Sequence, residues 1–165
     1  MLIKKIFLAF ISIFLISNLY ATDKIFIDKL VVKKSERRLY LYKEGKMIKE
    51  YPVMLGKTPV GPKRQQGDGK TPEGKYIIDW KNDNSDYYLS LHVSYPNAYD
   101  LAYAKTNDID PGGAIMIHGM PGTLQRAREL FSGPDWTQGC IAISNKHMRE
   151  LWKLVKENTP ITISP

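Results

Sequence analysis

The chain has almost no cysteine: Cys140 is the only one in 165 residues. A single cysteine excludes an intramolecular disulfide, so the fold has to depend on its core alone. In an exported protein, a leftover cysteine is paired with another molecule, buried and inert, or reactive. Residue type alone leaves these alternatives open.

Metal-binding and phosphate-binding motifs are also missing. The histidines fall in no H-x-x-x-H or H-E-x-x-H pattern, so we expect no metal site and no cofactor. The loop over residues 56–74 contains GKT (69–71), but Arg64 stands where a phosphate-binding loop needs glycine. A loop of this length predicts either a functional rim or a mobile segment.

Basic residues form no stripe interleaved with aromatic residues, which argues against nucleic acid as a partner. The run KKSERR (33–38) indicates a solvated turn between strands rather than a binding patch.

Only one long apolar run occurs, at the start of the chain. Lys4 and Lys5 precede a run from Ile6 to Ile16 that only Ser12 interrupts, and Ala21 suits cleavage. We predict a signal peptide over 1–21, export to the periplasm or cell-wall space, and no transmembrane segment in the mature chain; an uncleaved anchor is the alternative. Cleavage would lower the net charge from +7 to +5, a mild excess that suits an anionic polymer.

The rest of the chain reads mostly as strands, which predicts one mostly β (α+β) domain over 24–164. Glu44-Gly45 marks a hairpin turn, and two helices late in the chain are expected after the caps Thr123 and Ser144 or Asn145. The strand candidates are residues 24–34, 38–55, 74–80, 87–93, 114–119 and 160–164.

Candidate chemistry centres on two short segments. Cys140 follows Gly139, which lets the backbone pass tightly, and the hydroxyl of Thr137 is close in sequence. His118 ends an apolar strand and is followed by Gly119, a place where functional side chains are often mounted. A thiol beside an imidazole can act as a nucleophile, provided that the two meet in space.

These segments, in this order, resemble the signature of the L,D-transpeptidase (YkuD-type) family. Residues 67–78, 90–97 and 110–119 are similar to further parts of that family's pattern, so the resemblance covers roughly residues 24–164. It implies a β-sandwich-like catalytic domain that acts on bacterial cell-wall peptidoglycan.

The resemblance also implies a role for each matching residue. Cys140 would be the nucleophile and His118 the base that activates it. Gly139 and Cys140 would supply backbone N–H groups to an oxyanion, while Thr137 takes the family's Ser/Thr position and Gly119 helps to orient the site.

Other positions bear on the substrate. His92 and Tyr95 are candidates for lining a substrate groove, with simple packing at a strand end as the alternative for His92. Gln138 stands where many members have histidine, and Ala142 where many have Asn or Arg.

The implied reaction is attack on a stem tetrapeptide, release of D-alanine, and transfer of the acyl group from a thioester. The acceptor would be a second stem peptide, a D-amino acid or the lysine of a wall-anchored lipoprotein. With water as acceptor, the chain would be an L,D-carboxypeptidase or another hydrolase. A non-catalytic wall-binding module and a sortase-like transpeptidase are the weaker alternatives, because the first has no need of Cys140 with His118 and the second needs a suitably placed arginine.

Overall fold

The structure is a computed structural model that describes residues 25–165, apart from the side chains of Leu124, Gln125 and Phe131. The predicted signal peptide, residues 1–21, lies outside this range. No helix between residues 25 and 165 is both long and apolar enough to cross a membrane. The elements are β1 (Lys29–Lys33), β2 (Arg38–Lys43), β3 (Lys46–Pro52), β4 (Gly74–Ser85), β5 (Tyr88–Val93), α1 (Ala98–Thr106), β6 (Met116–His118), α2 (Leu124–Ser132), β7 (Ile141–Ala142), α3 (Asn145–Leu154) and β8 (Thr159–Ser164).

The eight strands form one sheet in the order β3-β2-β1-β8-β4-β5-β6-β7. The β1–β8 and β6–β7 pairs are parallel, and the other neighbours are antiparallel. Met54, just after β3, bridges to Ala142 in β7. Because β3 and β7 are opposite edges, the sheet is curled. The predicted mostly β (α+β) fold is confirmed, and the core lies inside this single curled sheet.

The first hairpin shows how sequence specifies the sheet. Glu44 and Gly45 both have positive φ (51° and 73°), as a tight turn between right-twisted strands requires. Along β2, Leu39 and Leu41 are fully buried, whereas Tyr40 and Tyr42 on the other face are only partly covered. This alternation sets which face of β2 faces the core.

The helix α3 closes one side of the core. Its N-cap is Ser144, whose hydroxyl accepts from the His147 N–H, and Met148 and Leu151 are buried one turn apart. Both late helices begin after the predicted caps, Thr123 and Ser144. They are therefore confirmed.

The two predicted late helices are joined by a third helix, α1, that the sequence analysis did not predict. Its apolar residues form no single face, since Leu101 is exposed and Ala104 buried. The helix is held by a capping box, in which Asn97 and Asp100 satisfy each other's backbone N–H groups, and by the Tyr76 hydroxyl on Asp100 (2.9 Å). The sequence signal was Asn97 three residues before Asp100, not an apolar stripe.

Two buried lysines fix the loop over 56–74. Lys34 Nζ donates to two loop carbonyls and to Glu73 Oε1 (2.8 Å), and Lys63 Nζ donates to one carbonyl and to Asp68 Oδ1 (2.9 Å). Lys34 is 2% exposed, so the expectation that residues 33–38 form a wholly solvated turn was wrong for Lys34. The loop is therefore held in place, and it packs against the segment that carries Cys140, where the Lys57 N–H donates to the Thr137 carbonyl (2.9 Å).

Candidate active site

The loop that carries Cys140 is closed by one hydroxyl. Thr137 Oγ1 accepts from the Gly139 N–H (3.1 Å) and donates to the Cys140 carbonyl (2.7 Å). Gly139 has φ +133°, and a Cβ there would stand 2.6 Å from the Lys70 carbonyl oxygen. Only glycine fits, because both the backbone conformation and the contact with the neighbouring loop exclude a side chain.

The Cys140 thiol is half-buried and contacts the backbone that enters β6. Its sulfur accepts from the Met116 N–H (3.4 Å) and donates to the Ala114 carbonyl (3.6 Å). Burial raises the pKa of the Cys140 thiol, and the Met116 N–H and the positive charge of Lys63 only partly oppose this. The raised pKa favours the neutral thiol over the thiolate.

His118 ends β6 and is 4% exposed. Its Nδ1 lies 2.6 Å from the Gly119 carbonyl oxygen. Since a carbonyl oxygen can only accept, Nδ1 carries the proton and Nε2 keeps its lone pair. The rings of Tyr87 and Trp136 pack around the imidazole, with centroids 4.5 Å and 5.9 Å away.

The His118 environment keeps the imidazole uncharged. Burial lowers the pKa of His118, and the hydrogen bond with Gly119 opposes that shift only in part. Gly119 also has no room for a side chain, because a Cβ would lie 2.4 Å from Asn145 Oδ1. A neutral imidazole whose Nε2 carries no proton is the form that can accept one.

The structure places Cys140 and His118 in one cleft of about 450 Å³. Residues 82–87 of the β4–β5 hairpin form one wall, and Trp136 with the Cys140 loop forms another. The cleft thus holds a thiol, a neutral base and room for a ligand, which are the parts that nucleophilic acyl transfer requires.

The prediction that the Gly139 N–H donates to an oxyanion needs a correction. Its N–H donates to Thr137 Oγ1, so in this arrangement it stabilises the loop rather than facing a ligand. Thr137 and Gly119 lie where an orienting role would place them, next to the nucleophile and the base. The Cys140 N–H remains the candidate donor in this loop.

The two predicted groove residues lie outside the cleft. Tyr95 is 3% exposed and its hydroxyl donates to the Pro111 carbonyl (2.9 Å), so it is a core residue and the groove prediction for it was wrong. His92 contacts Asp79 Oδ1 through Nδ1 (2.6 Å) and stacks on Trp80. The pairing of β4 with β5 shifts register between Ile78 and Lys81, so Asp79 and Trp80 both lie opposite His92.

Tyr87, Ser90 and Trp136 are among the cleft residues that sequence reasoning missed. Ser90 is the buried polar position of β5 and is paired in register with His118. No sequence signal marked this serine, because Leu89, Leu91 and Val93 alternate toward the core and place it on the opposite face of β5. As for metals, no three His, Cys, Asp or Glu side chains gather as a possible ligand set within residues 25–165.

The chain belongs to the L,D-transpeptidase family. The family's model of the YkuD L,D-transpeptidase catalytic domain matches residues 27–163, nearly all of the described chain.

Among curated proteins, the chain is similar to YafK of Escherichia coli (strain K12), a candidate L,D-transpeptidase. The two are 30% identical over 128 residues, which cover 74% of this chain but 44% of YafK. The chain therefore spans less than half the length of this relative.

Solved structures show the same fold. Pgp2, a helical cell shape determining protein from Campylobacter jejuni, is 26% identical with a TM-score of 0.59, over 83% of this chain and 47% of Pgp2. Bd1075 of Bdellovibrio bacteriovorus is 25% identical with a TM-score of 0.58, over 84% of this chain and 48% of Bd1075. The Ldtfm–avibactam carbamoyl enzyme is 17% identical with a TM-score of 0.57, over 86% of this chain and 50% of the other, and supports the fold alone.

Proposed function

We propose that the chain is an exported, peptidoglycan-modifying cysteine L,D-transpeptidase that acts on stem tetrapeptides. The observation that carries the proposal is the presence of Cys140 and His118 in one cleft, with the tautomer of His118 set by the Gly119 carbonyl. Family membership supports the reaction class. It leaves the acceptor open.

In the proposed first step, Cys140 Sγ attacks the carbonyl carbon that joins the third stem residue to D-alanine. His118 Nε2 takes the thiol proton as the C–S bond forms, because both groups are neutral at rest and the proton has to move during attack. The Cys140 N–H stabilises the oxyanion. The C–N bond then breaks, His118 returns the proton to the leaving amine, and D-alanine departs from a thioester.

In the second step, a nucleophile attacks the thioester and Cys140 is regenerated. An amine gives a cross-linked or modified stem, and the lysine of a wall-anchored lipoprotein is one such amine. Water gives an L,D-carboxypeptidase. We keep this second candidate because the structural relative Pgp2 is described as a helical cell shape determining protein, and trimming stems changes how many remain for cross-linking.

One experiment tests the reaction and separates the acceptors. The chain lacking residues 1–21 is incubated with a disaccharide tetrapeptide and the products are analysed by mass spectrometry. Loss of D-alanine with dimers means transpeptidation, and loss alone means hydrolysis.

A second experiment tests the nucleophile. A carbapenem should form a covalent adduct on the wild type and none on Cys140→Ser, and equal adducts on both would refute the nucleophile assignment.

The predicted export has its own test. When the chain is expressed with residues 1–21, it should appear in the periplasmic or cell-wall fraction. The recovered chain should lack this N-terminal segment. An unprocessed chain in the membrane fraction would indicate the uncleaved anchor instead.

A further inference from the structure

Two buried polar atoms of the cleft have no hydrogen-bond partner within the described residues 25–165. They are the Ser90 hydroxyl and the indole Nε1 of Trp136, and Ser90 is only 1% exposed. Buried polar groups of folded proteins are nearly always paired, and each exception needs a reason. Both side chains line the cleft that contains Cys140.

The two atoms reach the cleft from different parts of the fold. Ser90 lies on β5 directly opposite His118 on β6, so its side chain is the cross-strand neighbour of the imidazole. Trp136 precedes Thr137 in the loop that carries the nucleophile, and its ring packs against Tyr87 and His118. Register and packing thus hold both donors beside the reacting groups without a hydrogen bond to any residue in the described range 25–165.

The charge of the cleft indicates what these donors bind. Among the described residues that line it, there is no lysine or arginine, and Asp86 contributes a carboxylate. A second carboxylate buried here would have no cation among the lining residues and would be repelled by Asp86, whereas an uncharged amide carbonyl would only need donors. The oxygen that suits Ser90 and Trp136 is therefore a peptide carbonyl.

We propose that Ser90 and Trp136 are substrate-binding residues whose O–H and N–H groups donate to amide carbonyl oxygens of the bound stem peptide beside His118. The inference rests on the proposed function, because it takes the ligand to be a peptide. It assigns to this part of the cleft the uncharged main chain of the stem and excludes a terminal carboxylate.

Ser90→Ala removes only the unpaired hydroxyl, whereas Trp136→Phe removes the unpaired N–H together with part of the indole ring. Neither breaks a hydrogen bond to a residue in 25–165. The midpoint of thermal unfolding should therefore stay the same or rise for Ser90→Ala, and any fall for Trp136→Phe should come from lost ring packing. Affinity for the disaccharide tetrapeptide, measured by calorimetry in a Cys140→Ala background, should fall about tenfold for each variant, the loss of about 1.4 kcal/mol. In the Cys140-containing chain, kcat/KM should fall by a similar factor.

Thr159→Val is the matched control. Its buried hydroxyl donates to the Lys156 carbonyl (2.7 Å) and Thr159 is not among the cleft residues, so it should show the opposite pattern. We expect a lower unfolding midpoint with unchanged peptide affinity and turnover.

The outcomes separate this inference from the proposed function. Wild-type turnover with unchanged affinity in both variants would overturn the inference alone, and so would a loss of stability in Ser90→Ala like that of Thr159→Val. A shifted pH profile in Ser90→Ala with unchanged peptide affinity would overturn it too, since Ser90 would then act through His118. A wild type that binds no muropeptide would overturn the proposed substrate and this inference together.

Discussion

Buried polar side chains occur both at the loop over 56–74 and in the cleft beside it, but their hydrogen bonding differs between the two regions. In the loop, the ammonium groups of Lys34 and Lys63 each have a carboxylate and at least one carbonyl as partners. In the cleft, Ser90 and Trp136 have none among the described residues. Paired groups hold a fold together, whereas unpaired ones cost stability and are kept for another reason. The paired groups thus support the site, whereas the unpaired groups line the part of it that would contact a ligand.

The largest effect is expected when the paired set is broken at Lys34. Lys34→Met leaves Glu73 and two carbonyls without their cation, so the free energy of unfolding should fall by about 3 kcal/mol. The measurement is urea unfolding. Lys33→Met is the matched control, because Lys33 is exposed and its pair with Glu36 is solvated, so little change is expected. Equal losses in the two variants would contradict a structural role for the loop's pairing.

The next largest effect is expected at the proposed base, His118. His118→Ala should lower the rate of Cys140 acylation by about 10²-fold, the usual scale of general-base catalysis, without unfolding the chain. Because burial raises the pKa of Cys140, solvent should restore the rate of the variant only at pH above the ordinary range of a cysteine. Because burial lowers the pKa of His118, the wild type should keep its rate at pH below the ordinary range of a histidine.

The check is the rate of carbapenem acylation against pH for both proteins, with circular dichroism as the folding control. A folded variant that keeps the wild-type rate near neutral pH would remove His118 from the mechanism.

A smaller effect is expected at Thr137, whose hydroxyl holds the loop that carries Cys140. Thr137→Val leaves the Gly139 N–H and the Cys140 carbonyl unpaired, so acylation should slow by about tenfold, a loss of about 1.4 kcal/mol. Thr137→Ser keeps the hydroxyl and should restore most of the rate. If Ser and Val variants behave alike in acylation assays, the hydroxyl does not organise the loop.

The smallest effect should appear on acidification. Burial of Asp68 would raise its pKa, but the N–H groups of Arg64, Lys70 and Gln65 and the Lys63 ammonium together lower it. A carboxyl with a lowered pKa contributes stability above its unfolded-state value of about 3.9, and that contribution is lost as pH falls through the folded-state value. The effect is small because burial offsets much of the gain.

Urea unfolding between pH 7 and pH 3 measures it, with Asp68→Asn as the variant that cannot titrate. The stability difference between wild type and variant should narrow below about pH 4. A constant difference over this range would show that the Asp68 charge does not stabilise the loop.

Much of this architecture could be predicted from local patterns. Alternation along β2 and the Glu44-Gly45 turn specify the hairpin, and the positions of Ser144, Met148 and Leu151 specify α3. These features depend on near neighbours in sequence. The helix α1 was missed because a polar cap holds it and no apolar stripe marks it.

The site was harder to predict because its parts meet through long-range contacts. Cys140 and His118 were accessible through a family resemblance, and their placement in one cleft agrees with it. Lys34 looked like one of several solvated charges, and only the folded loop shows its carboxylate and carbonyl partners. Tyr95 was misread because a tyrosine near a turn gives no sign of which way its ring is directed.

The position of β8 has a consequence for how the sheet folds. Residues 159–164 pair with β1 on one side and with β4 on the other, so the first hairpin and the strands that lead to His118 are joined through a segment that is distant from both in sequence. Pairing across such separations requires the closure of long loops, which slows folding. The edges of β1 and β4 stay exposed until β8 pairs with them, and exposed strand edges invite association with other chains.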